Sequence, residues 1–174
     1  MQSFVLNRVG IPLSAVAKGQ ADFSFTIEMA VPYTDERLTC QQIGIDAHVT
    51  RMGEDLLVKL KLFAECLFNC DRCGEPFQRP IRGETTTLFT TDSLKLEGTE
   101  GGEIRLLDAH ASELDLTQEV IDAFFLSIPE KVTCMENCRG LCAQCGMNLN
   151  LTECDCDRHS QDTRWNELKK LKFD

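Results

Sequence analysis

The sequence predicts an α+β fold: an antiparallel strand-rich body, one packing helix and a C-terminal Cys-rich segment. Three observations predict it. Apolar and polar residues alternate from Leu56 to Asn69, the spacing of apolar residues turns helical after Asp115, and eight of the ten cysteines fall into two clusters.

In chain order, the first forty residues are strand-like but weakly patterned, and the first clear signal is at 23–29. There Phe23, Phe25, Ile27 and Met29 alternate with Ser24, Thr26 and Glu28, the period of a half-buried strand. From Leu56 the longer pattern puts Leu56, Val58, Leu60, Leu62, Ala64, Cys66 and Phe68 on one side, opposite Lys59, Lys61 and Glu65. This strand runs into Cys70-Asp71-Arg72-Cys73-Gly74, after which Gln78 to Thr91 again reads as extended, so the cysteine pair sits at a hairpin tip. Residues 92–108, with Gly98, Gly101, Gly102 and several acids, have loop composition.

Leu116, Val120, Ile121, Phe124, Phe125 and Ile128 then share a helical face near 116–128, with Asp115 and Gln118 spaced as a capping box and Pro129 ending the helix. The Cys-rich stretch follows from Cys134 to Cys156. Asp162 is placed to cap a short closing helix with Trp165, Leu168 and Leu171 on one face. The organisation is a strand-rich body over 1–130 and a Cys-rich segment over 131–174, too short to bury a core of its own.

At 174 residues the chain has length for a single domain with an adequate core, so size alone demands no staples. Its longest apolar run, Ala123 to Leu126, is far short of the ~20 residues of a membrane span or the ~7 to 15 of a signal-peptide core. No membrane partner is expected, and the expected location is cytoplasmic. A net charge of −10 opposes generic binding to polyanions. Arg158 to Asp174, with five basic and three acidic residues, is locally basic, a composition read first as a solvated helix face.

In a reducing compartment, clustered cysteines more often hold metal than pair as disulfides. Cys70/Cys73 and Cys142/Cys145 both have the C-x2-C spacing that grips an ion from a tight turn, and Gly74 and Gly146 follow them. With Cys134, Cys138, Cys154 and Cys156 they supply ligands for one or two structural Zn2+ ions. One partition joins Cys142, Cys145, Cys154 and Cys156, leaving Cys70, Cys73, Cys134 and Cys138. The other joins the two C-x2-C pairs, leaving Cys134, Cys138, Cys154 and Cys156. The shorter loop to Cys154 favours the first slightly. His159 is a spare ligand better read as exposed, and His48 and His110 lack ligand spacing. Cys40 and Cys66 stand apart and are read as free cysteines without function, Cys66 as a small buried hydrophobe.

All-sulfur clusters are closed sites, which disfavours hydrolytic zinc chemistry, and Asp71 and Asp155 are read as turn residues rather than bases. No phosphate loop, H-E-x-x-H or nucleophile elbow occurs, so neither enzyme activity nor a small-molecule substrate is expected. A thiol oxidoreductase would use C-x2-C too, but with its first cysteine at a helix start, whereas Cys70 follows a strand.

Cys138-Arg139-Gly140-Leu141-Cys142-Ala143-Gln144-Cys145-Gly146-Met147-Asn148-Leu149-Asn150, followed by Cys154-Asp155-Cys156, resembles the C-terminal signature of the YceD family of large ribosomal RNA subunit accumulation proteins. Cys70-Asp71-Arg72-Cys73 matches that family's upstream C-x-R-C at a strand end. Asp162-Thr163-Arg164-Trp165 resembles its closing D-P-R-W, with threonine for proline. The resemblance covers roughly 40–172. It implies a non-enzymatic factor in accumulation of large-subunit (23S-type) ribosomal RNA and in assembly of that subunit. Its partners would be the large-subunit precursor, through RNA or through basic ribosomal proteins. Arg72, Arg139 and Arg164 are the first contact candidates, with Arg79 and Arg82 beside them. A zinc-ribbon module of another process and a C-x2-C oxidoreductase are the alternatives.

Overall fold

The structure, a computed structural model, describes residues 8–16, 19–28, 38–96 and 104–156. The closing helix expected from Asp162, with His159 and Arg164, lies outside the described residues. The sheet is built on two long strands, β5 (Asp55–Asn69) and β6 (Pro76–Thr90), paired antiparallel from Leu56↔Phe89 to Asn69↔Pro76. β5 fulfils the alternation in its sequence: Leu56, Val58, Leu60, Leu62, Ala64, Cys66 and Phe68 are all buried, while Lys59, Lys61 and Glu65 are exposed.

On the other side of β5 lies β4 (Gln42–Met52), whose Ile43, Ile45, Ala47 and Val49 extend the same buried face. A two-residue turn joins them, and Gly53 there takes φ 68°, the left-handed conformation that such a hairpin turn needs. β2 (Gln20–Glu28) pairs with β4 and confirms the strand predicted near 23–29, although Met29 is not described. β3 (Leu38–Cys40) continues the line of β4 along β5. A separate two-stranded ladder joins β1 (Gly10–Pro12) to β8 (Glu113–Asp115).

Segment 92–108 departs from the expected loop. It contains a short 3-10 turn at Ser93–Leu96 and β7 (Ile104–Leu106), which runs parallel to the end of β6, so the sheet is mixed rather than wholly antiparallel. Arg105 explains why β7 docks there. Its guanidinium reaches Glu119 at 3.3 Å and Asp122 at 3.1 Å, both on α1 (Thr117–Leu126). Glu119 is buried, and desolvation raises its carboxyl above its ordinary value despite Arg105.

α1 lies over β6 and β5 and buries Val120, Ala123 and Phe124, while Phe125 stays exposed, contrary to the expected face. Gly83 makes the packing possible: a Cβ at that position would lie 2.8 Å from the Ala123 carbonyl oxygen. The expected capping box is not formed. Asp115 accepts from the Thr117 N–H at 2.9 Å, but Gln118 donates forward to Asp122 at 2.7 Å.

Cys40 and Cys66 also correct the sequence reading. They are directly opposite in the β3/β5 register, with Cα atoms 4.5 Å apart, and form a disulfide inside the core.

Candidate metal centre

The chain leaves β5 at Asn69 and re-enters the sheet at Pro76, and the connection is a knuckle closed at both ends by backbone hydrogen bonds. Gly74 N–H donates to Cys70 O at 2.8 Å and Cys70 N–H donates to Glu75 O at 2.9 Å. The second knuckle repeats this geometry: Gly146 N–H donates to Cys142 O at 2.9 Å and Cys142 N–H donates to Met147 O at 2.8 Å. Gly74 and Gly146 have φ 74° and 73°, which an L side chain rarely adopts.

After α1, the chain returns to the first knuckle through Asp71. Asp71 N–H donates to Val132 O at 2.9 Å, and its carboxylate accepts from Val132 N–H at 2.6 Å. This reciprocal clasp carries Cys134 and Cys138 to Cys70 and Cys73. Asp71 thus helps hold the two segments in register, a role the sequence reading missed.

The described residues contain two groups of four cysteines, Cys70/Cys73/Cys134/Cys138 and Cys142/Cys145/Cys154/Cys156, each with all sulfurs within 4.8 Å of one another. This is the partition favoured by loop entropy. Four sulfurs about 2.3 Å from a central zinc would be about 3.8 Å apart along each tetrahedral edge. Cys70 and Cys138 Sγ lie 3.8 Å apart, and Cys73 and Cys134 Sγ 3.7 Å. The donor set therefore fits a tetrahedral thiophilic cation, with no ligand position left for a reacting group.

The protein polarises these thiols unequally. At Cys70, burial favours the neutral thiol, but the Cys134, Cys73 and Arg72 backbone groups outweigh it and bring the thiol down to about 6. Arg72 N–H and Cys134 N–H lie 3.4 and 3.3 Å from its sulfur. Cys134 is pushed up to about 12 by burial and by its neighbouring thiols. The second group repeats the contrast: hydrogen bonds from the Cys145 and Gln144 backbone lower Cys142 to about 6, while Cys145, then burial, raises Cys156 to about 12. Four adjacent thiols cannot all ionise on their own, and a bound cation would supply the compensating charge.

The candidate arginines fall in different settings. Arg72 donates through a guanidinium nitrogen to Cys138 O at 2.9 Å, so it braces the first cluster. Arg139 is exposed, 3.6 Å from Glu153. Arg82 stacks over the Phe63 ring on the sheet face, 5.7 Å from its centroid. His48 lies on the sheet with Nδ1 2.6 Å from Asp22 and belongs to neither cluster.

The Cys-rich architecture coincides with a family match. Large ribosomal RNA subunit accumulation protein YceD matches residues 58–172, which include all but the first three residues of β5, together with β6, α1 and all eight clustered cysteines. The chain belongs to the YceD family. It is 34% identical over 132 residues to an uncharacterized protein of Mycobacterium tuberculosis, covering 74% of this chain and 61% of the mycobacterial one. It is 35% identical over 128 residues to the chloroplastic large ribosomal RNA subunit accumulation protein YCED homolog 1 of Arabidopsis thaliana, covering 59% of this chain and 40% of the plant protein. The maize protein of the same name is 32% identical over 114 residues, 50% of this chain and 39% of that one. The chain thus spans under two thirds of the length of these relatives. No solved structure matches it. β1 to β4, and with them Cys40 of the disulfide, precede the matched span. Among the described residues no helix is long and apolar enough to cross a membrane.

Proposed function

We propose that this YceD protein is a non-enzymatic, zinc-stapled binding factor that supports accumulation of large-subunit ribosomal RNA and assembly of the large ribosomal subunit in the cytoplasm. The observation that carries the reading is the pair of closed four-cysteine clusters within the span that matches the family. Closed sulfur sites rigidify a surface without offering a ligand position for chemistry, which suits binding rather than turnover. Zinc is the fitting ion because it takes four thiolates tetrahedrally and has no redox chemistry of its own.

The oxidoreductase alternative is weaker on this geometry. Cys70 and Cys73 are only 3% and 5% exposed, and each has a third sulfur within 3.8 Å, whereas a disulfide-exchange thiol must be reached by its substrate. With a net charge of −10, contact with ribosomal RNA falls to local cations, and basic ribosomal proteins are complementary partners. Arg139 is the cleaner test of RNA contact, because reversing Arg72 would also release the Cys138 carbonyl.

Sedimentation of the tagged chain from cells is the test. Co-migration with large-subunit precursors is expected, and a chain found only at the top of the gradient at low salt would overturn the reading. Arg139→Glu weakening that association in a salt-dependent manner would favour RNA; unchanged association would leave a protein contact.

A further inference from the structure

The side chain of Asn150 reaches from one cluster's loop to a sulfur of the other. It belongs to the loop that closes the second cluster, four residues before Cys154, yet its Nδ2 donates to Cys138 Sγ of the first cluster at 3.3 Å. The rest of the amide is also engaged: Oδ1 accepts from Arg139 N–H at 2.7 Å, and Nδ2 reaches Asn148 Oδ1 at 3.0 Å. Every donor and acceptor site used is on a different partner, so the amide orientation is determined. Flipping it would turn oxygen toward sulfur and N–H toward N–H.

Asn150 is held from both sides. Its own N–H donates to Asn148 Oδ1 at 3.0 Å, and Leu151 and Thr152 N–H groups fold back on Asn148 O at 3.1 and 3.2 Å. Asn148 Nδ2 reaches Glu75 Oε1 at 3.2 Å, and the Glu75 carbonyl closes the first knuckle. Leu149 N–H donates to Gly140 O at 2.9 Å, and Leu141 N–H donates to Arg72 O at 3.2 Å. Gly140, with φ 74°, is pressed against that same Arg72 carbonyl, 3.0 Å from where a Cβ would stand. The 148–152 turn, which leads into Cys154, therefore positions the donor for Cys138.

We infer that Asn150 is a positioning residue that makes metal occupancy of the two clusters cooperative. Closing the second cluster fixes the 148–152 turn and aims an N–H at the Cys138 sulfur. That contact holds the Cys138 sulfur in place and lowers the ordering cost at the first cluster. Linkage makes the effect mutual: closing the first cluster favours the second by the same factor. This rests on the metal-binding reading above.

The test titrates the full-length chain with zinc in chelator buffers, alkylates unprotected thiols and reads each cluster's protection by peptide mass spectrometry. Cys145→Ser is expected to weaken zinc protection of Cys70 and Cys73 about tenfold, within the range known for outer-shell partners of a metal. Cys73→Ser is expected to weaken the second cluster by the same factor. Asn150→Asp keeps the acceptor for Arg139 but presents oxygen to Cys138. It should weaken the first cluster about tenfold while leaving the second cluster within about twofold of the reduced level seen in Cys73→Ser. Adding Cys145→Ser to Asn150→Asp should then weaken the first cluster no further. Asn150→Ala provides a second variant with no introduced charge and the same expected direction. Two clusters that each load zinc with affinities indifferent to all these changes would overturn the coupling and leave the metal reading standing. A wild-type chain that protects neither cluster would overturn both.

Discussion

The first and second clusters use the same knuckle and the same four ligands but differ in what they close. Cys73 and Cys134 are 61 residues apart in sequence, and the first cluster pins the return from α1 to the tip of the β5/β6 hairpin. The second gathers ligands from Cys142 to Cys156 alone, and Cys145 is exposed. The difference teaches that the same four-cysteine donor set can close a fold in one place and merely shape a loop in another. What a ligand set stabilises depends on the chain between the ligands.

The largest break in this comparison is expected from Cys73→Ser. Closing a loop of that length is worth about 4 kcal/mol of denatured-state entropy by the cross-link estimate, and the metal-binding energy is lost with it. Melting temperatures measured in the presence of zinc should fall by roughly 10 °C or more for the variant. Second is Cys40→Ala with Cys66→Ala, which removes a cross-link over a sequence separation of 26, with an expected loss of about 3 kcal/mol. Urea titration in the presence of zinc checks it, and a null result would mean the pair is not cross-linked in solution.

Cys145→Ser is expected to cost less stability than Cys73→Ser. Its loop to Cys154 is short, and its estimated closure term is about 3 kcal/mol, confined to a segment outside the main core. Equal thermal shifts for the two substitutions would erase the distinction. In kinetics the order reverses: a chelator should strip the second cluster first, through exposed Cys145, read as two phases of zinc release.

The smallest effect concerns pH in the metal-free chain. Cys70 and Cys142 are lowered from 9.0 to about 6, so their stabilisation is fully present above 9 and lost as pH falls through 6. Cys134 and Cys156, raised to about 12, contribute below 9 and lose their contribution as pH rises toward 12. Urea midpoints should therefore peak near pH 9 and decline on both sides; a flat profile would mean the thiols are not held as described.

The long strands and both ligand sets were legible because their signals are local. β5 alternates through Phe68, and each C-x2-C-G specifies its own turn. β4 carries the same alternation in Ile43, Ile45, Ala47 and Val49, but Gly44 and His48 blur its polar side and make it less legible. β7 was missed for a physical reason: three residues carry almost no pattern, and what fixes them is Arg105 meeting Glu119 and Asp122 across space. The Cys40–Cys66 pairing depends on register between β3 and β5, which spacing in sequence does not reveal. Asp71 and Asn150 look like ordinary turn residues until their partners are seen.

β5 has one further consequence. Its fifteen residues, at about 3.3 Å each, reach nearly 50 Å without interruption. At one end it meets β4's turn beside Asp55 and Lys95; at the other it delivers Cys70. The strand is in effect a ruler, holding the thiol-rich tip at a fixed stand-off from the opposite rim. A partner gripping the tip and another touching the rim would be kept apart by roughly the width of a small domain, a spacing set by the sheet alone.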